Sequence, residues 1–163
     1  MRVVAVANQK GGSTKTATAV SLAAVWAGQG HRVLLVDIDP QAQASTAAGV
    51  GREALSPGMA AVFLDGLALQ EAISPSEVPG LDVATSEEEL YSLDVRLANA
   101  IGREYLLTRA LETVTDRYDL VVIDTPPALG VALVNAVLAA AELGGGVLIP
   151  CTPEPQVVEG LGK

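Results

Sequence analysis

The strongest constraint on this chain is a short apolar segment that runs straight into a glycine-rich loop and then into a helix. Val3 to Ala7 is continuously apolar and ends at Asn8, Gln9, Lys10, Gly11 and Gly12, which reads as a buried strand delivered into a loop. From Thr16 to Ala27 the residues Val20, Ala23, Ala24 and Ala27 recur at helical spacing, and Gly28-Gln29-Gly30 supplies the stop. A second buried strand follows over Arg32 to Val36, in the run RVLLVDIDP. Strand, helix, strand in this order predicts a parallel pair with a right-handed crossover.

The remainder extends the same alternation. Gly49 to Gly58 reads as a loop, Met59 to Ile73 as a short helix, and SPSEVPG as a turn. Leu81 to Ala84 reads as a strand, and Ser86 with Glu89 three residues on signals the capped start of a long helix through about Val114. Leu120 to Ile123 forms a third strong strand ending at Asp124. A helix from about Val131 to Glu142 leads through Gly144-Gly145-Gly146 into a buried strand at Val147 to Ile149. Runs this continuously apolar suit strands covered on both faces, so the expected class is α/β, a mostly parallel sheet with helices on both sides. After Pro150 the segment CTPEPQVVEGLGK reads as a loop and the first turn of another helix, an arrangement that suggests a single domain over 1–163, incomplete at its C-terminus.

Composition narrows the function classes. A length of 163 residues fits one domain that buries roughly 70% of its unfolded surface. The single Cys151 excludes a disulfide framework or a cysteine-rich metal site, and it reads as a small core residue. No apolar run reaches the ~18 residues of a spanning helix, and the N-terminus lacks a signal-peptide pattern, so a cytoplasmic domain with no membrane segment is expected. The net charge of -9 argues against a broad basic face for nucleic acid. His31 reads as a solvated turn residue, Trp26 as packed in or beside the core, and Glu87-Glu88-Glu89 as a solvated first helical turn.

Chemistry concentrates in Gln9-Lys10-Gly11-Gly12-Ser13-Thr14-Lys15-Thr16, between a strand and a helix. A helix N-terminus carries about half a positive charge and presents free N–H groups to an anion. Glycines let those amides converge, a lysine bridges terminal phosphates, and a hydroxyl ligates magnesium, which assigns Lys15 and Thr16. Asp37 and Asp39, two apart at the end of the second strand, share a face as long as the strand continues. Asp124 ends the third, and ligands of open parallel sheets bind beyond such carboxyl ends.

QKGGSTKT, VLLVDIDPQ and YDLVVIDTPPALG, in that order and spacing, resemble the deviant Walker A, Walker A-prime and Walker B segments of ParA-type (Soj-like) partition ATPases. The resemblance implies a P-loop ATPase fold, ATP/ADP and Mg2+ as cofactors, and a homodimer held face to face by ATP. It implies nucleotide contacts from Gly11, Gly12, Ser13, Thr14, Lys15, Thr16 and Ala17, and a Lys10 that reaches the nucleotide of the other subunit. Asp39 would position the attacking water, Asp37 would support the magnesium shell, and Asp124 would hold a magnesium water. These roles suit phosphoryl transfer, which is mostly positioning and charge neutralisation. Gln41 and Pro126-Pro127 fall where the two switch regions are expected.

The resemblance further implies a role in chromosome or plasmid partitioning, a ParB-like activator with a basic segment, and non-specific DNA binding by the full-length protein. DNA binding by this chain is expected to be weak, because relatives place the basic surface beyond its end. One position departs from the pattern: Thr14 stands where glycine is expected. If positive φ or close phosphate approach is needed there, a β-branched residue is costly, and nucleotide binding is expected to weaken. Two rival readings are a MinD-like positioning ATPase and a nucleotide-free interaction module with a ParA-like fold. Iron–sulfur relatives need several cysteines and are excluded.

Overall fold

The computed structural model describes residues 1–10, 14–51 and 56–151. The strands β1 (Arg2–Val6), β2 (Val33–Asp37), β3 (Ile73–Pro75), β4 (Leu81–Ala84), β5 (Leu120–Asp124) and β6 (Gly146–Leu148) form one sheet in the order β3-β4-β2-β5-β1-β6. Every neighbouring pair is parallel except β3 with β4. The helices are α1 (Lys15–Gly28), α2 (Gln43–Ala47), α3 (Met59–Asp65), α4 (Leu93–Arg96), α5 (Leu106–Glu112) and α6 (Val131–Glu142).

Strand alternation divides the core into two layers, since successive side chains leave opposite faces. Val3, Ala5, Leu34, Val36, Val121 and Ile123 join the larger cluster with residues of α3, α4, α5 and α6. Val6, Val33, Leu35 and Val122 join the smaller one with Ala19, Ala23 and Ala27 of α1 and Ala44 of α2. The mostly parallel sheet with helices on both faces is therefore as expected. Trp26 is half-buried against the smaller cluster.

The expected pairing of β1 with β2 is corrected. β5 lies between them, with Val121 in register with both Val3 and Leu34. Val121, Val122 and Ile123 are fully buried, and the middle of the sheet is where a strand apolar on both faces loses most contact with water.

Three other expectations change. The helix expected over Met59 to Ile73 ends at Asp65, where Gly66 takes φ 70; a 3-10 turn over Leu69–Ala72 follows, and then β3. β3 is an edge strand, which is why Pro75 is tolerated in it. The long helix from Ser86 breaks into a 3-10 turn at Glu88–Ser92, α4, a second 3-10 turn at Arg103–Tyr105, and α5. Leu93 and Leu97 form one buried stripe, Leu107 and Leu111 another. Gly102 at φ 71 makes the break, and the Arg103 guanidinium donates to the Leu97 and Ala98 carbonyls at 3.0 and 2.7 Å. Finally, among the described residues β6 is an exposed edge strand rather than a buried one, with Val147 42% and Leu148 39% exposed. Cys151 is likewise exposed and not a core residue. The expected loop over Gly49 to Gly58 lies partly, and the expected helical turn after Cys151 wholly, outside the described residues.

Two side chains fix α6. Asp94 Oδ1 accepts from the Val131 N–H at 2.8 Å and so caps its N-terminus; a Cβ on Gly130 would meet that carboxylate at 2.5 Å. Asn135 is fully buried: its Oδ1 accepts from the Leu107 N–H at 2.9 Å and its Nδ2 donates to the Arg103 and Val131 carbonyls. Asn135→Ala strands the Leu107 N–H at the start of α5, and urea unfolding should show a loss of about 2–3 kcal/mol.

Candidate functional site

The carboxyl edge of the sheet gathers the predicted residues. Asp37 and Asp124 are register partners on adjacent strands, and Asp124 is also level with Val6. Each lies two residues beyond a member of the smaller cluster, Leu35 and Val122, so both carboxylates leave the sheet on the face that α1 covers. The N-terminus of α1 opens there, with Lys15 buried at its first turn and Thr16 half-buried beside it. Ala17 is exposed on the same turn.

The two buried acids differ in how they are satisfied. Asp37 is fully buried; its Oδ2 accepts from both the N–H and the hydroxyl of Ser45 at 2.8 Å, and its Oδ1 accepts from the Asp39 N–H at 3.2 Å. Burial still pushes its carboxyl up to about 6, against the pull of the Ser45 bonds. Asp124 is equally buried, but neither carboxylate oxygen has a hydrogen-bond partner of normal geometry among the described residues. Burial pushes it up to about 7; Thr16 and Lys15 favour the charged form, and Asp37 and Asp39 oppose it. Two open, buried oxygens facing a lysine and a helix N-terminus form a place for a hydrated cation beside an anion.

Asp39 lies beyond the end of β2, so strand alternation does not place it with Asp37 as expected. A turn does: its N–H bonds Asp37, its Oδ1 accepts from the Gln41 N–H at 3.0 Å, and its carbonyl accepts from the Ala42 N–H at 2.9 Å. Gln41 contacts the Tyr91 hydroxyl. A cleft of 420 Å³ lies against Asp39, lined among others by the buried Ile38, Leu90 and Leu93 and by Asp94 and Pro126.

The loop itself is partly described. Gly11, Gly12 and Ser13 lie outside the described residues. Lys10 is exposed, its N–H bonded to Asn8 Oδ1 at 2.9 Å, while Asn8 Nδ2 donates to the Pro150 carbonyl at 2.8 Å and so ties β1 to the segment after β6. Thr14 adopts φ 60, ψ 20, the left-handed conformation that made glycine the expected residue. Ala42 at φ 52 is the other non-glycine residue with positive φ among those described, and each is the N-cap of a helix at this edge. Such a conformation costs about 1–2 kcal/mol, and strain of this kind collects at functional sites.

Sequence reasoning missed Ser45, Thr125 and Asp94, and misassigned Ser86. Thr125 is buried and donates to the Val6 carbonyl at 2.8 Å, tying β5 to β1 behind the acids. Ser86 caps no helix; its hydroxyl donates to the Asp39 carbonyl. Glu87 instead accepts from the Ala61 N–H at 3.3 Å, in the first turn of α3. Burial of Ser45 and Ser86 beside the aspartates has no local sequence signal, because it depends on α2 meeting the segment after β4, 41 residues on.

Magnesium sites of the phosphate type need one or two carboxylates, a hydroxyl and waters rather than a protein cage. Thr16 and Asp124 fit that need, and no group of three or more His, Cys, Asp or Glu suited to a metal occurs among the described residues. No described helix is long and apolar enough to cross a membrane. In metal-free buffer the buried acids make stability fall as pH rises. The unfolded state loses these protons near pH 4, whereas the native state keeps them to about 6 and 7. Urea unfolding at pH 5 and pH 8 should differ by on the order of 3 kcal/mol in favour of pH 5, and Asp124→Asn should remove much of that difference.

Known proteins agree with the three-motif resemblance. The sporulation initiation inhibitor protein Soj of Bacillus subtilis is 38% identical over 162 residues, 99% of this chain and 62% of its own length. The chromosome partitioning protein ParA of Myxococcus xanthus is 38% identical over 162 residues, with 56% of its length covered. The chain thus spans a little over half the length of these curated relatives. Cobyrinic acid a,c-diamide synthase from Mycobacterium smegmatis, solved with an ATP analogue and magnesium, superposes with a TM-score of 0.88 at 36% identity, over 99% of this chain and 66% of that one. The family model described as an AAA domain matches residues 1–163, and the chain belongs to that AAA domain family.

Proposed function

We propose that this chain binds magnesium-ATP at the carboxyl edge of its sheet and hydrolyses it, as the nucleotide-binding part of a ParA-type partition ATPase. The observation that carries the reading is Asp124, whose two buried oxygens have no partner of normal geometry among the described residues, beside Lys15, Thr16 and the N-terminus of α1. The ATP analogue and magnesium bound in the solved neighbour and the partition roles in the names of the relatives support it.

The residues divide the work. Lys15 neutralises the terminal phosphates, with the amides of Gly11 to Ala17 around them. Thr16 and Asp124 hold the magnesium, directly or through a water, and the metal supplies charge neutralisation on the transferring phosphoryl group. Asp37 is already committed to Ser45 and Asp39, so it supports the metal's shell from behind. Asp39, part-buried and beyond the strand, orients the attacking water. Lys10, exposed on the loop, reaches the nucleotide of a second copy. The cleft beside Asp39 includes Asp94 and no lysine or arginine in its lining, which suits the basic segment of a ParB-like activator. With a net charge of -9, this chain binds DNA weakly; the protein works in the cytoplasm, at the nucleoid when full-length.

Light scattering tests the core of the reading. ATP with magnesium should double the mass of the wild-type chain, and Lys10→Ala and Lys15→Ala should abolish the change. Asp39→Ala should keep the dimer and lose at least about 100-fold in turnover. A constant mass whatever the nucleotide would favour the interaction module instead.

We read the strain at Thr14 as a cost to the fold rather than to nucleotide binding. The residue already holds the left-handed conformation, so its strain belongs to the folded chain and not to the binding step. Thr14→Gly should raise unfolding free energy by about 1 kcal/mol while changing ATP affinity less than about threefold. Tightening of tenfold or more, measured by calorimetry, would place the cost on binding.

A further inference from the structure

Two buried serines close a ring of hydrogen bonds around the end of β2. The Ser45 hydroxyl donates to Asp37 Oδ2 at 2.8 Å and accepts from the Ser86 N–H at 3.2 Å. The Ser86 hydroxyl donates to the Asp39 carbonyl, and the Asp39 N–H returns to Asp37 Oδ1 at 3.2 Å. Both serines are fully buried. The ring joins three distant parts of the chain: the end of β2, the start of α2 and the residues after β4.

The two aspartates are held very differently within it. Asp37 is a strand residue whose position the sheet already sets. Asp39 stands in the turn beyond, where its remaining bonds come from Gln41 and Ala42 of that same turn. The Asp39 N–H is tied to Asp37 two residues back, and among the described residues the bond from Ser86 is the one that reaches Asp39 from a segment distant in the chain. Ser86 itself sits on a fixed support, because Glu87 bonds the first turn of α3 and Asp94 caps α6. A buried, fully connected ring moves as a unit, so loss of one hydroxyl releases the turn rather than one atom.

We propose that Ser86 is a positioning residue for Asp39, setting where that carboxylate stands when water attacks the nucleotide. The inference rests on the hydrolytic reading above. A positioning error of about 1 Å costs up to about 100-fold in rate without weakening substrate binding. In the 163-residue chain, Ser86→Ala should therefore lower kcat by about tenfold or more with KM for magnesium-ATP within about twofold, and Ser86→Thr should recover most of the loss. Amide hydrogen exchange of the nucleotide-free protein supplies an independent readout. Ser86→Ala should speed exchange across residues 39–42 by about tenfold and leave the central strands protected. Unchanged exchange in that segment would overturn the tether whether or not the wild-type chain turns over ATP. Faster exchange with unchanged kcat would overturn the catalytic role. Faster exchange in a chain whose wild type shows no turnover would uphold the tether and refute the hydrolytic reading.

Discussion

A carboxylate with both oxygens buried and no hydrogen-bond partner of normal geometry among the described residues is costly for a small domain, and Asp124 is such a group. The rest of the edge is arranged around it. β5 takes the central place in the sheet and so delivers Asp124 between β1 and β2, level with Val6 and Asp37. The α1 side of the sheet then supplies Lys15, Thr16 and a helix N-terminus to the same point. What costs stability in the empty protein becomes useful once a cation and an anion arrive together, since each then meets a partner already in place.

The same economy explains why strain gathers here. Thr14 and Ala42, the two described non-glycine residues at positive φ, each precede a helix whose first turn faces the acids. Neither conformation is cheap for a residue with a Cβ, and both persist because the surrounding fold determines them. α1 packs its Ala19-Ala23-Ala27 stripe into the smaller core layer, and α2 is held through Ser45 to Asp37. Rigid layers behind, and strained turns in front, fix the groups that would handle phosphate.

The apolar runs of β1, β2 and β5, the helix after the glycine loop and the two strand-end aspartates were legible in the sequence, because each depends on local spacing. A strand buried on both faces announces itself by continuous Val, Ile and Leu, and α6 emerged over the expected residues. Less local features were not legible. The stretch from Ser86 to Val114 has helical periodicity in each half, and the break between them at Gly102 shows only in the folded chain. Ser86 has the spacing of a capping box, yet its hydroxyl is drawn to the Asp39 carbonyl, 47 residues away.

The sequence by itself determined the class of fold and the sheet edge at which Asp37, Asp124 and the start of α1 meet, since strand ends and helix starts are written in neighbouring residues. Only the tertiary structure decided that β5 separates β1 from β2, that Asp37 is satisfied while Asp124 is not, and that Ser45 and Ser86 bind the Asp39 turn to the sheet. These outcomes depend on which segments, far apart in the chain, meet over the same few ångströms. Hydrogen-bond partners at that distance leave no period and no spacing in the sequence to be read.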